Sequence, residues 1–241
     1  MYNYTLKAIK ELKIWDKKNS KKPLININIA KGLQDKMNSF IPEKANEIIT
    51  STIKNMVKVV LIGSKFKAIP PLREASLEER EKKVQEKLDF YKKTAALSGA
   101  GTGAGGFLLG FADFPILLSL KFKFLFDTAS FYGFDVTDYK ERLYILYVFQ
   151  LAFSCKEKRL EIYSYIKNWD EYVLSLPENI NDFNWRKFQQ EYRDYIDLAK
   201  TLQLVPGIGA AVGAIANYKL MNKLGDTSMN GYRLRLFKDC I

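Results

Sequence analysis

The chain has 241 residues, an apolar content of 47% and a formal net charge of +11, which together describe a globular protein able to bury a substantial core. It contains no histidine, which excludes Ser-His-Asp and Cys-His nucleophile pairs and any His-bearing zinc site. The two cysteines, Cys155 and Cys240, lack metal-ligand spacing and read as reduced thiols of a cytoplasmic protein.

Positive charge is concentrated at the start. Residues 1–93 hold 21 Lys and Arg against 11 Asp and Glu, whereas residues 94–241 hold 17 against 16. That asymmetry points to an anionic partner, lipid headgroups or nucleic acid; a solvated Lys-rich surface is the plain alternative. No helix-turn-helix, RNA-binding or zinc-finger signature accompanies the charge, so nucleic acid is the weaker expectation. The first residues, MYNYTLKAIKELKIWDKK, do not read as a cleavable signal peptide.

In chain order, residues 2–18 form an amphipathic helix. Tyr2, Leu6, Ile9, Leu12 and Trp15 share one face, and Lys7, Lys10, Lys17 and Lys18 crowd the other. Such a helix either lies in a membrane interface or folds back on the protein's own core. Ile25, Ile27 and Ile29 alternate with Asn26 and Asn28, a short strand pattern with no sheet to join. A second helix is expected from about Pro42 to Leu61, and Gly63 ends it. Ser76-Leu77-Glu78-Glu79 is a capping box that opens a third helix, with Leu77, Val84, Leu88, Tyr91 and Ala95 on one face.

That helix runs into GAGTGAGGFLLG at residues 99–110. A phosphate loop is the weaker reading, because a helix precedes the glycines where a strand is required and no Lys follows them. The glycines fall four apart, Gly99 with Gly103 and Gly106 with Gly110, which strips one helix face down to backbone. Residues 205–217 repeat the device with Gly209, Gly213 and Asn217. The expected arrangement is two glycine-zipper helices packed closely together, with Gly103 facing Gly213. Residues 94–112 and 201–218 carry no charge and approach the length of a membrane span. Their small-residue composition favours buried helices; insertion of the glycine-rich pair is the alternative.

Asp113 caps the next helix, with Pro115 in its first turn, and Gly133 stops it. Further helices are expected over Asp138–Phe153, Lys156–Leu176 and Asn184–Leu204, with a last one from about Asp226 to Phe237. Asp135 and Asp138 read as caps, and the aromatic residues from Phe122 to Phe153 as packed core. The fold class is therefore all-α: one multi-helix domain, with basic N-terminal helices over 1–70 and a helical core over 76–241.

Several motifs together resemble the EcsC family. They are the small-residue run into Ala112-Asp113-Phe114-Pro115, then Tyr132-Gly133-Phe134-Asp135 and Glu141-Arg142. Pro206-Gly207-Ile208-Gly209-Ala210-Ala211-Val212-Gly213 with Asn217 follows, and Tyr232-Arg233-Leu234-Arg235 closes the series. Ile41-Pro42-Glu43-Lys44 and the Trp15 region extend the similarity over nearly the whole chain. The resemblance implies a bacterial protein whose family is named after one encoded beside an ABC transporter. It implies no reaction and no cofactor.

The candidate polar site comprises Asp113, Asp135, Tyr232, Arg233 and Arg235, with one of the arginines expected to pair with one of the aspartates. The leading functional expectation is an accessory protein at the inner face of the membrane, bound to anionic lipid or a transporter through Lys7, Lys10, Lys17 and Lys18. The alternatives are a hydrolase working through carboxylates alone, and a lipid-binding protein whose glycine-rich helices insert.

Overall fold

The computed structural model describes residues 2–21, 43–62, 66, 69–102, 114–154, 156–178, 182 and 210–241. These residues form eight α-helices and no strand: α1 (Tyr2–Asn19), α2 (Glu43–Ile62), α3 (Leu77–Thr102), α4 (Phe114–Phe131), α5 (Tyr139–Phe153), α6 (Lys156–Lys167), α7 (Trp169–Tyr172) and α8 (Ala210–Leu236). The fold is all-α, as its sequence periodicity requires. The Ile25–Ile29 stretch, the helix expected over 184–204, Cys155 and Asp113 lie outside the described residues.

Local chemistry explains where the helices start and stop. Ser76 and Glu79 close the capping box at the head of α3: the Ser76 amide donates to Glu79 Oε2 at 2.8 Å, and the Glu79 amide donates to Ser76 Oγ at 3.3 Å. Gly133, at φ +93°, ends the α4 segment. Its amide donates to Ser130 O and that of Phe134 to Ala129 O, each at 3.0 Å, the paired bonds of a Schellman motif. Asp138 caps α5 by accepting from the Lys140 amide at 2.9 Å.

Every residue of α5 from Glu141 to Phe153 is buried, and so is most of α4. A helix apolar on all sides belongs at the centre of a bundle. Phe122 of α4 stacks on Phe149 of α5 with centroids 4.6 Å apart. Around this pair α2 packs on α4 and α5, and α3 and α8 lie against each other along their length. Helix α1 crosses α8, α3 and α6, burying Ala8, Leu12 and Trp15. Arg142 fastens α2 to α5 by donating to Leu61 O at 2.7 Å, at the carbonyl end of α2 where a cation is favoured.

Two expected boundaries are corrected. The helix expected over 156–176 breaks at Asn168 into α6, the single turn α7 and a 3-10 turn over Val173–Ser175. The break lets Trp169 bury itself beside Tyr144 and Tyr147, at 4.9 and 5.7 Å between centroids. Residues 210–217 and 226–236, expected in separate helices, belong to one helix, α8. No proline interrupts 218–225, and Gly225 is held inside the helix by its packing.

Helices α3 and α8 do lie together, and among the described residues Gly225 marks a close approach between them. A Cβ there would sit 2.5 Å from Leu88 Cδ2. Gly99 and Gly213 fall within α3 and α8, while Gly103, Gly106, Gly110 and Gly209 lie outside the described residues, so the expected Gly103–Gly213 approach is not placed. Among the described residues no helix is long and apolar enough to cross a membrane.

Candidate functional site: arginine–carboxylate pairs and the α1 face

At the C-terminal end of α8, Tyr232 and Arg233 are buried and Arg235 is largely so. Arg233 grips Glu81 of α3 with two prongs, Nε to Oε1 at 2.7 Å and Nη2 to Oε2 at 2.6 Å. Its Nη1 reaches Glu11 of α1 at 3.0 Å. Glu81 is fully buried and also accepts from the phenols of Tyr4 at 2.7 Å and Tyr132 at 2.8 Å. Four donors therefore converge on one carboxylate, which a buried charge requires. Burial works against the Arg233 charge, but the bonds and charge of Glu81 outweigh it and hold the guanidinium above its ordinary range.

A second pair lies beside the first. Arg235 donates to Glu141 Oε2 at 2.6 Å, and Tyr232 donates to Glu141 Oε1 at 2.8 Å. The Arg235 guanidinium lies over the Phe134 ring at 3.7 Å and the Tyr144 ring at 4.6 Å. Burial raises the Glu141 carboxyl against the opposing pull of Arg235. Tyr132 and Tyr232 stack at 5.3 Å and so bring the two pairs together.

The expected pairing with Asp135 is corrected. Asp135 is exposed and accepts from the Thr137 amide and hydroxyl, at 2.9 and 2.7 Å. Those bonds hold its carboxyl below the usual range. An aspartate two residues before a threonine satisfies that local turn first. The partners that sequence reasoning missed are Glu81 and Glu141. Glu81 stands in the Lys/Glu-rich run at the head of α3, where nothing separates a buried glutamate from solvated ones. Glu141 adjoins Arg142 in a motif already quoted, but its partner lies 94 positions away.

Between α1, α3 and α8 a cleft of about 360 Å³ opens beside Arg233, with Tyr4, Glu11, Gln85, Asp226 and Asn230 among its walls. The arginine is occupied by carboxylates, so the cleft offers amides and carboxyl groups rather than a free guanidinium. Among the described residues no cluster has the makings of a metal site.

On the outside of α1, Lys7, Lys10, Lys17 and Lys18 are exposed. At 100° per residue all four lie within about 60° of Ile14, which is itself 72% exposed. The opposite face carries Ala8, Leu12, Trp15 and Asn19, all buried. Asp16 and Asn19 tie α1 to α6: Lys167 donates to Asp16 Oδ1 at 2.6 Å, Tyr163 donates to the same oxygen, and Arg159 Nη2 donates to Asn19 Oδ1 at 2.9 Å. The apolar face expected for membrane contact is thus largely spent on the core.

An all-α bundle closed at one end by two buried arginine–carboxylate pairs, and faced by a lysine-rich first helix, is the class of protein these residues build. Over residues 6–237 the chain matches the family model described as the EcsC protein family, and it belongs to that family. It is 46% identical over 211 residues to Protein EcsC of Bacillus subtilis (strain 168), covering 87% of this chain and 86% of that protein. It is 29% identical over 205 residues to a protein of the same organism described as uncharacterized protein YdbA, covering 84% of this chain and 75% of that one. No solved structure matches the chain.

Proposed function

We propose that this EcsC-family chain is an accessory protein of a membrane system, docking peripherally on an anionic membrane surface through the outer face of α1. The observation that carries the reading is the lysine array around exposed Ile14, on a helix whose other face is anchored in the core. Anchoring presents the four ammonium groups together without further ordering. Each Lys near an acidic leaflet contributes about 1 kcal/mol, so four contribute roughly a thousandfold in partitioning. Leu12 and Trp15 are buried, so attachment is chiefly electrostatic and weakens as salt shortens its reach to about 8 Å at physiological strength.

Flotation with vesicles of phosphatidylcholine alone, or with added phosphatidylglycerol, tests this. The expected result is recovery with anionic vesicles only, falling sharply between low and high salt. Recovery should fall again when Lys7, Lys10, Lys17 and Lys18 become Gln. Equal recovery on neutral and anionic vesicles, or none on either, would overturn the reading.

A further inference from the structure

Lys121 on α4 and Asn217 on α8 are fully buried. Neither Lys121 Nζ nor Asn217 Nδ2 or Oδ1 has a hydrogen-bond partner among the described residues. A buried polar group without a partner bears its whole desolvation cost, and an unpaired ammonium bears the larger one. Two such residues at one level of a bundle call for an explanation.

Their placement follows from the helix register. Helices α4 and α8 each run antiparallel to α3, and therefore parallel to each other. Tyr91 of α3 bonds Asp127 while Tyr132 bonds Glu81, and Leu88 meets Gly225 while Glu81 meets Arg233. The Tyr132–Tyr232 stack at 5.3 Å sets the register between α4 and α8. Lys121 precedes Tyr132 by three turns and shares its face to within about 20°. Met221 stands at the matching position of α8, and Asn217 lies one turn further along. A route through α3 puts Lys121 nearer residue 215, so the two routes bracket Asn217: Lys92 lies 5.0 Å over the Tyr218 ring, and the adjacent Tyr91 lies 6.1 Å from Phe124. The reach of a lysine side chain spans one helical turn.

We propose that Lys121 and Asn217 form an interior receptor for one anionic oxygen headgroup, a carboxylate or a phosphate, carried on an apolar tail. Lys121 supplies the counter-charge and Asn217 Nδ2 a further donor, while an apolar tail suits the buried residues one or two turns away on the same helices, Leu117 on α4 and Met221 and Leu224 on α8. Burial pushes the Lys121 ammonium down to about 7; an arriving anion would hold the proton there and satisfy both residues at once. Such a receptor would act independently of surface docking through α1, which flotation tests separately.

Thermal melting and titration calorimetry of the full chain with octanoate, octyl phosphate, acetate and inorganic phosphate test it. Octanoate or octyl phosphate should raise the wild-type Tm saturably by several degrees, the preferred one identifying the headgroup. Lys121→Met should weaken that binding at least tenfold, and Asn217→Leu should weaken it separately. Both are apolar replacements of similar size, so either alone keeps the test open if the other misfolds. No shift with any of the four probes, or an equal shift in wild type and variants, would overturn the proposal. So would acetate or inorganic phosphate binding as tightly as the tailed probes.

Discussion

Arg233 and Glu81 meet in a two-pronged ion pair, at 2.7 and 2.6 Å, across 152 positions of sequence. Both side chains are shielded from solvent, and Tyr4 and Tyr132 fill the remaining acceptor sites of the carboxylate. Removing one partner of such a pair costs far more than removing both. Glu81→Leu alone should destabilise by roughly 3–5 kcal/mol, because Arg233 keeps a buried charge with only Glu11 to oppose it. The double variant Glu81→Leu, Arg233→Met should recover much of that loss. A double-mutant cycle by urea unfolding measures the coupling; strictly additive costs would show that the pair does not act as a unit.

Gly225 tests the approach of α3 and α8. Gly225→Leu should destabilise by roughly 1–3 kcal/mol or more, since even a Cβ would meet Leu88 Cδ2 at 2.5 Å. Leu88→Ala opens that space. In the Leu88→Ala background, Gly225→Ala should become stabilising by about 1 kcal/mol, the helix-propensity difference between the two residues. Melting curves of the four chains decide the matter.

Lys121 predicts a pH dependence of stability. Its folded pKa, pushed down to about 7 by burial, lies below its unfolded value near 10.4. The fold therefore favours the neutral amine. The resulting penalty is absent above the unfolded value, grows as pH falls toward about 7, and is constant below that. Lys121→Met should accordingly stabilise the ligand-free protein at pH 7 by roughly 3 kcal/mol or more. The gap between variant and wild type should narrow as pH rises from 7 to 10. Asp127 is engaged by Tyr91 and Lys123, so it does not offset this charge. A gap that stays constant over that range would contradict the assignment.

Asp16 predicts a slope of the same sign in a different window, at the acid end. Burial alone would raise its carboxyl, but bonds from Lys167 and Tyr163 outweigh that and hold it below its ordinary range. A depressed carboxylate contributes stability that is present above the unfolded pKa near 4 and is lost as pH falls through the folded one. Asp16→Asn should cost roughly 1–3 kcal/mol at pH 7. Urea midpoints of variant and wild type should converge as pH falls below the ordinary carboxylate range.

Much of the helical layout was legible because its signals are local. Ser76 and Glu79 stand at capping-box spacing, Asp138 precedes a helix, and Gly133 occupies the one left-handed position that was expected to stop α4. The continuity of α8 was not legible. Its residues 210–217 and 226–236 carry different compositions, and Leu88, on another helix, explains why a glycine sits at 225. The site divides in the same way. Tyr232-Arg233-Leu234-Arg235 is conspicuous, since two arginines beside apolar residues need partners. Which carboxylates serve them depends on the packing of α3 and α5 against α8, and the aspartate nearest in pattern, Asp135, is taken by Thr137.

The bond from Arg233 to Glu11 joins side chains 222 positions apart, and that span has a temporal consequence. A ribosome adds about 5–20 residues each second, so Glu11 emerges roughly ten to forty seconds before its partner exists. Through that interval Glu81 has no guanidinium, and the inner face of α1 has no α8 to rest on. Locking of the first helix is thereby postponed until α8 has been made. A stalled or truncated chain ending before α8 would leave the inner face of α1 without that cover, so quality control can read the arrival of α8 from the exposure of α1.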